Sequence, residues 1–120
     1  MVIVDTSVWV SHFRQGSKEL EKLLMDGEVL CHPFIIGEIA CGYLTNRREI
    51  LSLFQNLPMA RIADEEELLT FIEQRKLYGL GVGFIDVHLL ASALLSGVKL
   101  WTEDKKLQKA AYSLRISFQP

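Results

Sequence analysis

The sequence predicts an α/β fold, a three-layer α/β/α sandwich around a central, mostly parallel sheet of five strands. Short apolar runs of strand length alternate along the chain with longer segments whose apolar residues recur at helical spacing. Strands separated by helices pair in parallel through right-handed crossovers, and helices then cover both faces of the sheet. Because 120 residues suit one domain, we expect residues 1–120 to share a single core.

The predicted strands and helices alternate in order. Val2, Ile3 and Val4 form an apolar run that ends at an acid, as a buried parallel strand does. Strands are predicted at residues 2–4, 28–31, 59–63, 98–101 and 115–118, the last at an edge of the sheet. Helices are predicted after the caps at 5–7, around 20–24, and at 33–43, 47–55, 64–78, 84–96 and 103–112. Ligands bind such sheets beyond the carboxyl ends of the strands, so functional side chains are expected directly after strands.

Composition and charge narrow the class of protein. The chain is 49% hydrophobic and 23% charged, which is ordinary for a globular protein. No apolar stretch reaches the roughly 18 residues of a membrane span, and the N-terminus has no basic leader, so we expect a cytoplasmic protein without a membrane segment. The net charge of −2 argues mildly against nucleic-acid binding through a broad basic face.

The cysteines carry no metal-binding signature. Cys31 and Cys41 form no Cys-x-x-Cys pair, and although His32 follows Cys31, the other candidate zinc ligands are scattered. We therefore predict that both cysteines are small buried hydrophobes.

Two acidic residues follow predicted strands. Asp5 comes directly after the first strand, and Asp104 lies just beyond the strand at 98–101, with Glu103 beside it as a rival. Each has an ordinary structural explanation, since Asp5 can cap a helix and Thr102 can cap the next one. Taken alone, both acids are more typical of a structural role.

Glu38 is unusual because it is the only charged residue between Pro33 and Leu44. The helix predicted there is apolar enough to be largely buried, and an ionised carboxylate is costly to bury without compensation. A narrow solvent-facing stripe beside Gly37 and Gly42 is the less favoured explanation.

Asp86 is the most anomalous acid, since it lies near the start of the most hydrophobic helix in the chain. The helix dipole compensates a carboxylate there only in part. His88, two residues on, points to a different face, so we expect it to be exposed or hydrogen-bonded and not to serve Asp86 as a base.

Four acids together predict a metal site: Asp5, Glu38, Asp86 and Asp104. Clustered carboxylates repel one another, and without a counter-charge some would protonate. A hard divalent cation with oxygen ligands removes that penalty. Mg²⁺ or Mn²⁺ fits best, because no His or Cys constellation accompanies the acids.

Four segments resemble the motifs of the PIN-domain family, and specifically of VapC-type toxins of bacterial and archaeal toxin–antitoxin systems. They are residues 2–7, 33–42, 83–93 and 100–107, one around each of the four acids. Each motif is weak singly, but together they span the whole chain in the right order and with the right intervals. The clearest departure is Trp101, in a strand position that is usually aliphatic.

The resemblance implies a metal-dependent endoribonuclease that cleaves single-stranded or loop RNA and leaves 5′-phosphate and 3′-hydroxyl ends. By carry-over, the four acids hold the Mg²⁺ or Mn²⁺, and Thr6 and Thr102 fall where the family often has a hydroxyl that supports the site. Our hypothesis makes Asp5 and Asp86 the principal ligands. The resemblance also implies a homodimer and a small cognate antitoxin whose tail blocks the acidic site.

A cation at the acids would leave the surrounding surface free to be positive. Five basic residues are candidates for phosphate contacts at the border of the groove: Arg47, Arg48, Lys105, Lys106 and Lys109. For each of them a solvated helix face is the favoured alternative.

Three other functions share part of this sequence pattern. A haloacid-dehalogenase-type phosphatase requires a second Asp where Ser7 stands, and a receiver domain requires paired acids before Asp5, where Val4 stands. Neither fits well. The third alternative stays open: a PIN-like domain that binds RNA or a partner without catalysis, its acids being a relic or a structural cation site.

Overall fold

A computed structural model describes residues 1–120, and a parallel sheet of three strands lies at its centre. Strand β1 (Val2–Val4) lies between β2 (Val29–Leu30) and β3 (Lys99–Trp101) and pairs in parallel with both. All three side chains of β1 are buried, as its apolar sequence predicts for a central strand. Because the strands point the same way, the residues that follow them meet at one edge.

Seven helices pack around this sheet. They are α1 (Thr6–Gln15), α2 (Lys18–Met25), α3 (Pro33–Cys41), α4 (Arg47–Asn56), α5 (Glu65–Arg75), α6 (Phe84–Ser96) and α7 (Lys105–Ser113). The apolar α6 packs on β1, β3 and α5, and its residues 87–93 are all buried. The α/β architecture with a parallel sheet is therefore confirmed, and no helix is long and apolar enough to cross a membrane.

The sheet is narrower than the five strands predicted. The segments at 59–63 and 115–118 are reduced to single parallel bridges, one joining Met59 to Cys31 and one joining Ser117 to Leu100. Their partners are too short to pair further. The chain turns into α3 two residues after β2 ends, and β3 gives way to the turn before α7 at Thr102.

A single cluster of 27 buried hydrophobic residues forms the core. Trp9 of α1 and Phe54 of α4 meet edge to face within it, with ring centroids 4.6 Å apart. Cys31 is buried in this cluster, as predicted. The same prediction for Cys41 is wrong, because Cys41 ends α3 on a side that no other element covers.

Two histidines are buried. The Nδ1 atom of His32 accepts a hydrogen bond from the backbone amide of Phe34 (3.0 Å) and so caps α3, while its Nε2 has no partner. Burial, with a smaller contribution from His88, lowers the pKa of His32 to about 4. The expectation that His88 is exposed or hydrogen-bonded is wrong: it is 6% exposed, and its buried Nδ1 has no partner. Position 88 has no solvent face because α6 is covered on all sides there.

We predict that His32 makes the fold sensitive to acid. Between an unfolded pKa of 6.5 and a folded pKa of about 4 the unfolded chain binds more protons, so the free energy of unfolding falls as the pH is lowered through this range. The full loss is on the order of 3 kcal/mol. His32→Asn keeps an acceptor for the Phe34 amide and does not titrate.

Urea unfolding at about pH 7 and about pH 4 measures this loss. We expect the wild-type protein to lose more stability than His32→Asn, because the difference between them isolates the histidine. Equal losses in the two proteins would contradict the prediction.

Candidate active site

Asp5 follows β1 directly, and its carboxylate is buried, with the residue only 6% exposed. The Oδ2 atom accepts hydrogen bonds from Thr102 Oγ1 (2.7 Å) and Ser7 Oγ (2.8 Å). Asp5 also occupies the N-cap position of α1, but its side chain makes no capping hydrogen bond. The carboxylate of Asp5 therefore does not cap α1, which was the structural role considered for it. It is turned toward the end of β3.

The two hydroxyls that hold Asp5 connect it to the backbone before α7. Ser7 Oγ accepts a hydrogen bond from the amide of Glu103, and Thr102 Oγ1 accepts one from the amide of Asp104, both at 3.0 Å. Donors polarised in this way form stronger hydrogen bonds and offset part of the cost of burying a charge. The family resemblance pointed to Thr102 as a supporting hydroxyl, whereas Ser7 was expected only to cap a helix.

Glu38 lies on α3 with its side chain exposed, so the expectation of a buried glutamate is wrong. Gly37 and Gly42 are exposed beside it, which is the solvent-facing stripe that the sequence made the less favoured explanation. Packing of α1 against α3 brings Thr6 to this position, and Thr6 Oγ1 donates a hydrogen bond to Glu38 Oε1 at 2.8 Å. Both threonine hydroxyls named from the resemblance thus contact a predicted site acid.

Asp86 is half-buried in the first turn of α6. Burial raises the pKa of its carboxyl, a hydrogen bond from the amide of Gly83 to Oδ2 (3.2 Å) opposes the rise, and the negative charges of Asp5, Asp104 and Glu38 add to it. These three acids are the other predicted members of the quartet. Residues far apart in the chain therefore lie close enough to repel one another.

Asp104, rather than its neighbour Glu103, joins this group. Asp104 caps α7 by accepting a hydrogen bond from the amide of Leu107 at Oδ1 (2.9 Å). Glu103 is instead engaged by Ser11 Oγ (2.6 Å), and it is not among the charges that raise the pKa of Asp86. Of the two neighbours, Asp104 is therefore the acid whose charge acts on Asp86, whereas the side chain of Glu103 is engaged by α1.

The four carboxylates share one pattern of hydrogen bonding. In each, one oxygen is held by a protein donor and the other accepts no hydrogen bond from the protein. The second oxygens are Asp5 Oδ1, Glu38 Oε2, Asp86 Oδ1 and Asp104 Oδ2. No basic side chain neutralises them, because the one ion pair in the chain joins the Met1 amino group to Glu28.

This donor set suits a hard cation, but the four groups do not form a closed cage. Nowhere do three or more His, Cys, Asp or Glu side chains converge closely enough to hold a metal ion as they stand. Oxygen ligands of this kind match the preference of Mg²⁺ and Mn²⁺, which a His or Cys cluster would not.

Three of the five basic side chains named from the sequence fall in two places. Arg47 and Arg48 line a separate cleft along α4 that contains none of the four acids. Lys106, two residues after Asp104, lies across Gly81, where a Cβ would come within 2.8 Å of Lys106 Cδ and 2.9 Å of its Nζ. Of the five candidates, Lys106 therefore touches the loop that leads into α6 and Asp86.

Comparison with known proteins gives a consistent family. A family model for the PIN domain matches residues 2–112. Ribonuclease VapC32 of Mycobacterium tuberculosis is 42% identical over 111 residues, which cover 92% of this chain and 90% of that protein. Ribonuclease VapC1 of Methanocaldococcus jannaschii is 28% identical over 109 residues, which cover 88% of this chain and 76% of that protein.

A solved structure agrees on the fold. PAE2754 from Pyrobaculum aerophilum superposes with a TM-score of 0.63 over 92% of this chain and 78% of its own, at 18% sequence identity. At this level of identity the likeness concerns the fold alone.

We predict that Asp86→Asn stabilises the metal-free protein. Asparagine keeps an acceptor for the Gly83 amide but removes a half-buried charge that three other acids repel. The melting temperature in EDTA is therefore expected to rise above that of the wild type. Adding Mg²⁺ is expected to narrow the difference, since a cation that binds the folded state stabilises the wild type more.

Glu73→Gln is the matched control, because it removes one negative charge from an exposed position on α5. We expect it to leave the melting temperature almost unchanged. A lower melting temperature for Asp86→Asn in EDTA would show that the repulsion is not significant.

Proposed function

The chain belongs to the PIN domain family, and we propose that it is a divalent-metal-dependent endoribonuclease, the toxin of a toxin–antitoxin pair. Its substrate is single-stranded or loop RNA, in which it hydrolyses phosphodiester bonds. The observation that carries this proposal is the group of four carboxylates, each with one oxygen held by the protein, the other free, and no basic side chain paired with it. The ribonuclease names of its relatives support the same activity.

In this proposal Asp5, Glu38, Asp86 and Asp104 hold Mg²⁺ or Mn²⁺. Asp5 and Asp86 are the principal ligands, because they are the two less exposed acids and ion–carboxylate attraction is strongest away from water. A bound divalent cation lowers the pKa of a water molecule and polarises a phosphate, which are the two requirements of phosphodiester hydrolysis.

The remaining chemistry falls to side chains of this chain. Thr102 and Ser7 hold the Asp5 carboxylate in one orientation, and Thr6 does the same for Glu38. The exposed acids, Glu38 and Asp104, complete the site directly or through water, and one of them orients the attacking water and accepts its proton. The products are RNA ends with 5′-phosphate and 3′-hydroxyl groups.

The partners and location follow from the same proposal. RNA is the substrate, a small cognate antitoxin covers the acidic site, and two copies of the chain form a homodimer. An enzyme that acts on cellular RNA in this way works in the cytoplasm. Family resemblance supports these assignments, and we assign no surface to either protein partner.

We predict that RNA cleavage by the purified protein requires a divalent cation and Asp5. EDTA is expected to abolish cleavage of total cellular RNA, and Mg²⁺ or Mn²⁺ to restore it. Asp5→Asn keeps an acceptor for Thr102 and Ser7 but loses the charge, so we expect a folded protein whose cleavage rate falls by about 100-fold or more. Sequencing of the new 5′ ends measures both the rate and the site.

Glu73→Gln again serves as the control and is expected to cleave like the wild type. Cleavage that persists unchanged in EDTA would refute the metal-dependent mechanism. A folded wild-type protein that binds RNA but never cleaves it would favour the non-catalytic alternative.

A second prediction concerns Lys106. Gly79 and Gly81 both have a left-handed backbone, with φ of +72° and +78°, so alanine strains either position by about 1–2 kcal/mol. Only at position 81 does the new Cβ meet Lys106. If the ammonium contacts an RNA phosphate, Gly81→Ala and Lys106→Ala weaken RNA binding, and Gly79→Ala does not.

Fluorescence anisotropy with the Asp5→Asn protein over a range of salt concentrations measures this effect. Loss of one phosphate contact is expected to reduce the slope of log affinity against log salt by about 1. An unchanged affinity and slope for Lys106→Ala would assign that side chain to a solvated helix face.

A further inference from the structure

An apolar groove opens beside Glu38, between α3 and the start of α6. We call it the α3–α6 groove; its volume is about 570 Å³, and its lining includes Phe34, Gly37, Glu38, Cys41, Phe84 and Ile85. A concave, mostly apolar surface beside a few polar groups is typical of a ligand-binding site.

The groove is continuous with the acidic site. Glu38 belongs to both, and Phe84 and Ile85 immediately precede Asp86 on α6. An RNA phosphate held at the acids therefore has its neighbouring base within reach of the groove.

The charge of the groove favours a neutral occupant. No Lys or Arg lines it, and among its residues Glu38 is the one acid. A phosphate placed there would meet a negative charge and apolar walls with no cation to balance it. A nucleobase meets aromatic and aliphatic side chains that suit its flat, uncharged faces.

Phe84 is exposed but held in place. It is 61% exposed, yet its ring packs edge to face on His88, with centroids 4.7 Å apart and an interplanar angle of 84°. His88 is itself buried and contacts Phe34 in the same manner, at 4.7 Å and 82°. A ring fixed in this way loses little conformational freedom when a ligand stacks on it.

We propose that the α3–α6 groove binds the base next to the cleaved phosphodiester bond, with Phe84 as its stacking surface. This inference rests on the proposed ribonuclease function and refines its substrate class. Stacking on an aromatic side chain requires an unpaired base and tolerates any base identity. The groove thus selects single-stranded RNA over duplex and contributes little to sequence choice.

The test measures binding of a random-sequence single-stranded RNA of about ten nucleotides to the Asp5→Asn protein in Mg²⁺, with a fully paired RNA as a second ligand. Phe84→Ala is expected to weaken single-strand binding by about 5- to 100-fold, and to affect duplex binding less. Phe84→Tyr is expected to retain affinity, whereas the apolar but non-aromatic Phe84→Leu resembles alanine. Tyr112→Ala, which removes an exposed aromatic ring from α7, is the control.

Cys41 gives a second, independent measurement. It lies in the groove and is exposed, while burial raises the pKa of Cys31 to about 11, so alkylation by iodoacetamide reports on Cys41 alone. Bound single-stranded RNA is expected to slow this alkylation, and duplex RNA is not.

The outcomes separate the two proposals. If the wild-type protein neither binds nor cleaves RNA, the proposed function fails and the groove proposal fails with it. If the Asp5→Asn protein binds RNA and adding Phe84→Ala or Phe84→Leu leaves that affinity unchanged, or Cys41 is not protected, the groove proposal alone is overturned. Protection of Cys41 that grows with protein concentration without RNA, or that requires a bound antitoxin, would assign the groove to a protein and overturn the proposal as well.

Discussion

The buried carboxylate of Asp5 is the constraint on which the site depends. A charge at the carboxyl edge of a three-stranded sheet is tolerated only because Thr102 and Ser7 both donate to it. Those hydroxyls are in turn held by the backbone that leads from β3 into α7. The hydrogen bonds around Asp5 thereby connect the end of β1 to the backbone that precedes α7. They hold the amide of Asp104, the residue that caps this helix.

The distribution of charge leaves repulsion between the four acids uncompensated in the folded state. The acids repel one another and lack basic partners, although the chain carries 13 lysines and arginines. Pairing them would have stabilised the folded state and blocked any cation. Lys106 on α7 forms no ion pair with these acids. In the proposed function its positive charge is therefore available to an anionic RNA substrate, although the net charge of the chain is −2.

The order of strands and helices along the chain predicted where three of the four acids lie in the fold. Asp5 and Asp104 follow strands and Asp86 lies in an apolar helix, and alternation and hydrophobic pattern predicted these placements. Their role as site residues stays a prediction. The same reasoning overestimated the sheet at 59–63 and 115–118, where apolar content allows a strand but each segment pairs through only a single bridge. Pairing is a non-local property, which local pattern does not contain.

Glu38 was proposed as a site residue because it was expected to be buried, and that expectation is wrong. The apolar composition of α3 predicted burial for Glu38 and Cys41, yet both are exposed, because no element of the fold covers that side of the helix. Local sequence reports how apolar a helix is, whereas burial depends on what packs against it. An apolar face that its own fold leaves open costs solubility unless it binds something. The face of α3 whose burial was wrongly predicted is a wall of the α3–α6 groove. Glu38, which lies on this face, joins the groove to the other acids.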